Sequence, residues 1–118
     1  MFKDLAKRSQ LVSAYKSYWD FVPTDRAAGV GLIIASYISK YVQRVHRSGG
    51  RFIAIDLYLP GKKLSIINLY APPSDKFTSK GRALTKLVID HIKLAESKGF
   101  QCIIIGDLML IPINTTNY

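Results

Sequence analysis

Two short stretches place groups capable of acid–base or ion chemistry directly after apolar runs. One is Asn68-Leu69-Tyr70-Ala71-Pro72 and the other is Gly106-Asp107-Leu108-Met109. Polar residues just past the ends of sheet strands are exposed yet held by a rigid scaffold, which is where functional groups concentrate. Asp107 comes after Ile103, Ile104, Ile105 and Gly106. A carboxylate there is costly to bury unless it is paired, hydrogen-bonded or bound to a cation, and it serves equally as a plain strand-ending residue. Tyr70 reads either as a phenolic hydrogen-bond donor or as an aromatic packed under a loop. The remaining reactive residue types are sparse. His46 lies in a basic connection, and His91 shares the apolar face of a helix, the position of a packed structural residue. The single cysteine, Cys102, forms no internal disulfide, and no cysteine/histidine cluster has the spacing of a zinc site.

The elements that must position these groups can be read from the pattern of apolar residues. Leu11, Val12, Tyr15, Tyr18 and Trp19 have helical spacing, but their aromatic content suits an extended segment as well. Residues 1–28 are therefore an N-terminal segment, helical or extended, with a loop over Phe21 to Ala28. Gly29 to Ala35 is a continuous apolar run, the pattern of a strand buried on both faces. A connection rich in Ser, Tyr and basic residues leads to the turn Ser48-Gly49-Gly50. Arg51 to Leu59 alternates, with Ile53, Ile55, Leu57 and Leu59 on one face and Phe52, Ala54, Asp56 and Tyr58 on the other. A turn at Pro60-Gly61-Lys62-Lys63 and a return strand over Leu64 to Tyr70 complete a hairpin. Pro72 and Pro73 end it, since neither can donate to a ladder.

Leu84, Leu87, Val88, His91, Ile92 and Ala95 then fall on one face of an amphipathic helix, with Gly99 at its C-terminus. Gln101 to Gly106 reads as another buried strand. Strand, helix, strand implies a crossover to a parallel neighbour. The fold class is α/β (α+β), with one mixed β-sheet and at least one crossover helix.

Composition bounds what this fold does. The chain has 118 residues, is 48% hydrophobic and carries a formal charge of +9, which suits one folded domain and excludes wholesale disorder. Between Lys62 and Lys98 eight basic residues face three acidic ones, a local +5. Such a field favours phosphate-bearing partners and non-specific nucleic-acid binding, although Lys and Arg also simply solvate exposed faces. The apolar runs are too short to span a bilayer, so no membrane partner is expected. Charges in MFKDLAKRSQ stand where a signal peptide has its apolar core, so an intracellular location is expected.

In order along the chain, the segments GVGLIIAS, GRFIAIDLYL, INLYAPP and IIIGDLM resemble the endonuclease/exonuclease/phosphatase superfamily. Its members include exonuclease III-like and deoxyribonuclease I-like enzymes, and the wording INLYAPP is closest to the endonuclease domains of non-LTR retrotransposons. The match runs from Gly29 to about Met109, giving a domain over 29–109 and a tail over 110–118. The resemblance implies a partial DNase I-like sandwich, Mg2+ as cofactor, and hydrolysis of nucleic-acid phosphodiester bonds. It also carries roles to two residues. Tyr70 takes the place of the tyrosine of Tyr-x-Pro, which contacts the scissile phosphate. Asp107 takes the place of the aspartate of Gly-Asp-x-Asn, which activates or orients the attacking water, and it is the candidate metal ligand that the resemblance offers. Such hydrolysis needs a neutralised phosphate, an activated water and donors to developing charge.

The sequence departs from that family pattern at several positions. Met109 stands where the motif has Asn, and a thioether cannot replace an amide as a water or phosphate partner. Pro73 stands where Asn often follows Tyr-x-Pro. The acidic residues before Gly29 are Asp4, Asp20 and Asp25, none in the Gln-Glu context of the family's metal-binding glutamate. The family's C-terminal Asp-His pair has no counterpart. The expectation is the first half of a two-sheet sandwich, either a truncated phosphodiesterase or a non-catalytic, basic nucleic-acid-binding remnant of that fold. A half-sandwich leaves one sheet face, at positions such as Ile53, open to self-association. An unrelated small α/β binding protein is the third reading.

Overall fold

A computed structural model describes residues 14–23, 25–71 and 78–106. Strands β1 (Tyr15–Val22) and β2 (Asp25–Ala35) form an antiparallel two-stranded layer, followed by a short helix α1 (Ser36–Ser39). Strands β3 (Val42–Ser48), β4 (Phe52–Leu59), β5 (Lys62–Leu69) and β6 (Phe100–Gly106) form a mixed sheet in that order. Its first two pairings are antiparallel and β5–β6 is parallel. Helix α2 (Ser79–Ser97) makes the connection that a parallel pair requires. The architecture is α+β, with a helix on one side of the sheet and a hairpin on the other. Among the described residues no helix is long and apolar enough to cross a membrane.

The alternation read from β4 sorts the two interfaces. Ile53, Ile55 and Leu57 pack against Tyr18, Val30, Leu32 and Ile34 of the β1–β2 hairpin. Phe52 and Ala54 pack with Ile67, Leu69 and Val88, with Leu84, Leu87 and Ile92 of α2 around them. Helix α2 is capped at its start by Thr78, whose side chain accepts from the Gly81 N–H. It ends at Gly99, whose φ of +87° no other residue type adopts easily. The β4–β5 hairpin closes through a two-residue Pro60-Gly61 turn, so the return strand starts at Lys62 rather than Leu64 and stops before Tyr70.

Several sequence expectations are corrected. Tyr15–Val22 is extended, and the loop expected over Phe21 to Ala28 is the end of β1, a turn at Pro23 and the start of β2. Strand β2 is buried on one face only: Val30, Leu32 and Ile34 point inward while Ile33 is 65% exposed. Glycines at alternate outward positions gave it a continuous apolar look. Gly31 lies beneath the indole of Trp19, its register partner, where a Cβ would collide with the ring. The basic connection after Ala35 contains α1 and β3. Strand β6 is an edge of the sheet among the described residues, and Ile103, Ile104 and Ile105 are exposed rather than buried. Ile53, expected to lie bare, is fully buried by the hairpin. Residues 1–13 and the expected tail, 110–118, lie outside the described residues.

Two outcomes follow from this packing. Ile53→Ala removes a fully buried side chain between two layers and should lower unfolding free energy by about 3–4 kcal/mol, read from a urea midpoint. The exposed isoleucines put the expected self-association on β6 instead of on the Ile53 face. Sedimentation velocity should show mass rising with protein concentration, and Ile105→Lys should suppress it. A monomer at all concentrations would contradict this.

Candidate functional site

The parallel register of β5 and β6 brings Leu69 opposite Gly106, so the two strands end side by side. Tyr70 leaves β5 here, half-buried, with its N–H donating to the Arg51 carbonyl at 2.9 Å. The Arg51 guanidinium lies 5.3 Å from the centre of the Tyr70 ring, within cation–π range. Asn68 sends its side-chain N–H to the Gly31 carbonyl at 2.7 Å, tying β5 to the hairpin layer. Its other amide atom, Oδ1, presses on Gly106, where a Cβ would collide with it. Gly106 also has a φ of +112°, so this position combines a conformational and a steric demand for glycine. The same end of the sheet is held by Asp20. Its Oδ2 accepts from the backbone N–H groups of Ser48 and Gly50 at 2.9 and 2.8 Å, fixing the turn that leads into Arg51. Asp107, Met109 and Pro73 lie outside the described residues.

A second polar constellation sits on the opposite face of the sheet, beneath α2. Asp56 is the one acidic residue of β4 and is nearly buried. Ser65, its register partner on β5, donates its hydroxyl to Asp56 Oδ1 at 2.9 Å. His46 of β3 reaches Asp56 Oδ2 through Nε2 at 2.7 Å. His91 of α2 reaches the Ser65 oxygen through Nε2 at 2.8 Å. The carboxylate only accepts, and the serine's single proton is committed to it. Hydrogen-bond bookkeeping therefore puts a proton on Nε2 of both imidazoles. The two rings meet edge to face at 4.8 Å, and Phe52 borders His91 at 5.4 Å.

This layer makes burial of Asp56 tolerable, since an unpaired carboxylate would be strongly disfavoured here. Among the described residues no buried side-chain N or O lacks a partner. Burial holds the His91 pKa below its ordinary value, and the neighbouring His46 acts in the same direction, with Asp56 opposing both. Burial, then the charges of Glu96 and Asp56, push the Cys102 thiol up, which keeps it protonated and unreactive. Beside the cluster opens a cleft of about 250 Å³, with Arg44, Tyr58 and Lys98 on its walls.

His91 lies on the helix face that its spacing predicts, whereas His46, expected in a connection, lies on β3, and the cluster they share is not apparent from the sequence. The available signal was a pair of polar residues on two faces that pack together. These are Asp56 in the Phe52/Ala54/Tyr58 row and His91 in the apolar row of α2. His46 had no comparable signal, because β3 carries no strict alternation.

The lowered His91 pKa fixes a pH dependence. A base whose folded pKa lies below its unfolded value of 6.5 contributes stability that is full above 6.5 and declines as pH falls through the folded pKa. Thermal melting should therefore shift down on acidification below about pH 6.5, and His91→Gln should flatten the slope. An unchanged slope in that variant would show that His91 is not the titrating group.

No protein-family model matches the chain, and no curated protein matches it.

Proposed function

We propose that the chain is a domain of the endonuclease/exonuclease/phosphatase type whose partner is a nucleic-acid phosphodiester, engaged at the sheet end around Tyr70 and Asp107. The observation that carries this reading is the in-register parallel pairing of Leu69 with Gly106. It ends the two strands that carry INLYAPP and IIIGDLM side by side, as two motifs of one site require. The contact of Gly106 with Asn68 supports the same reading, since it couples the first residue of Gly-Asp to the strand that ends in Tyr70. In this arrangement the Tyr70 phenol donates to a phosphate oxygen and the Arg51 guanidinium beside it adds positive charge, while Asp107 stands where the family has the aspartate that orients the attacking water.

The resemblance also implies Mg2+. That ion takes oxygen ligands in near-octahedral geometry, usually carboxylates and waters. Among the described residues this sheet end offers Asp20, whose carboxylate already accepts two backbone N–H groups. The other acidic centre, Asp56, is flanked by two imidazoles. These donors do not fit Mg2+. Together with Met109 and Pro73 in place of amides, that misfit favours a nucleic-acid-binding module over a nuclease within the same fold.

A single experiment separates the readings. A DNA duplex is incubated with the chain and MgCl2 while binding is read by anisotropy and strand cleavage by plasmid nicking. Binding without turnover is expected, weakened about tenfold between about 50 and about 200 mM salt if two phosphates are contacted. Tyr70→Ala should weaken it further. Nicking abolished by Asp107→Ala would establish a competent nuclease instead, and absence of any binding would defeat both readings.

A further inference from the structure

We propose that His46, Asp56 and His91 form a binding site for a Zn2+-class transition-metal ion, on the helix face of the sheet and separate from the Tyr70 end. Each residue offers one donor atom, and the three donors lie within 4.8 Å of one another. Two imidazoles and one carboxylate are the donor set that borderline-soft divalent ions take, with a fourth position left for water. A tetrahedral ion with ligands at about 2.0–2.1 Å spaces its donors about 3.3 Å apart. In that geometry His46 and Asp56, now 2.7 Å apart, part by little more than half an ångström, and the wider donor gaps, up to 4.8 Å, close by up to about 1.5 Å. His46 can make that movement, because its side chain is partly exposed on the rim of the cleft.

The surroundings already fix one of the ligands. Ser65, fully buried, donates to Asp56 Oδ1 and leaves Oδ2 turned toward His46. Fixing a ligating carboxylate through its other oxygen is a common outer-shell device. The ion takes the place of the proton on His46 Nε2 that now faces Asp56 Oδ2; that proton moves to Nδ1 of the same ring, so the imidazole stays neutral and turns its Nε2 lone pair to the ion. The cleft gives the ion a route of entry and room for the water. Cys102 pairs in register with Ser65 but is not among the three donors.

The test uses the whole chain, stripped with a chelator and titrated with ZnCl2 by calorimetry. One saturable Zn2+ per chain and a raised melting temperature are expected, and MgCl2 should give neither. Co2+ in place of Zn2+ should produce the strong visible bands of a tetrahedral site without a thiolate charge-transfer band, a readout that needs no variant. The double substitution His46→Gln, His91→Gln should abolish binding, Ser65→Ala should weaken it about tenfold, and Cys102→Ser should leave it unchanged. The proposal is overturned by a titration without saturable binding, by binding that survives loss of both histidines, or by a thiolate band that disappears in Cys102→Ser.

Discussion

The confinement of β4 between two layers governs how the rest of the chain is arranged. A strand buried on both faces must offer an apolar row to each side, and here the rows differ. Ile53, Ile55 and Leu57 meet a hairpin made of strands, while Phe52 and Ala54 meet a helix. Because side chains alternate along a strand, neither row can slip by one residue without exchanging the two interfaces. The register of β3 and β5 on β4, and through β5 that of β6, follows from this choice. Tyr70 and the end of β6 reach the same edge as a result.

The same confinement accounts for the polar layer under α2. Asp56 belongs to the helix-facing row by its position, so a charge is carried into a packed interface. Ser65 and His46 satisfy its two oxygens, and His91 extends the network to the helix. An apolar residue at position 56 would pack there at lower electrostatic cost, since buried charges rarely add net stability. The four polar groups come from four different elements, so the network ties β3, β4 and β5 to the helix.

Legibility in the sequence followed the number of neighbours that impose a pattern. The β4–β5 hairpin and α2 were readable because each has a regular apolar row with a partner along its whole length. The position of β2 is legible but its one-sided burial is not, since Gly29 and Gly31 remove the polar half of its alternation. Strand β3 is not legible because, at a sheet edge, its exposed residues Gln43, Arg44, Arg47 and Ser48 follow no alternation and Val42, Val45 and His46 are only half-buried. The His46–Asp56–Ser65–His91 network joins residues ten, nine and twenty-six positions apart, and no local periodicity encodes such pairs. Tyr70 was placed at a strand end by its prolines, and its contact with Arg51 became visible only with the turn in place.

Among the described residues the β1–β2 hairpin shares no ladder with the four-stranded sheet. It is held by apolar contacts and by side-chain bonds to backbone from Asp20, Asn68 and Arg47. Such a layer is a natural unit of sub-global opening, able to lift away while the ladders beneath stay paired. Trp19, the only tryptophan of the chain, lies within it, stacked over Gly31 and joined through its carbonyl to Arg47. The chain thus carries an intrinsic fluorophore on the layer that can open by itself, a reporter on the hairpin distinct from the ladders of the sheet.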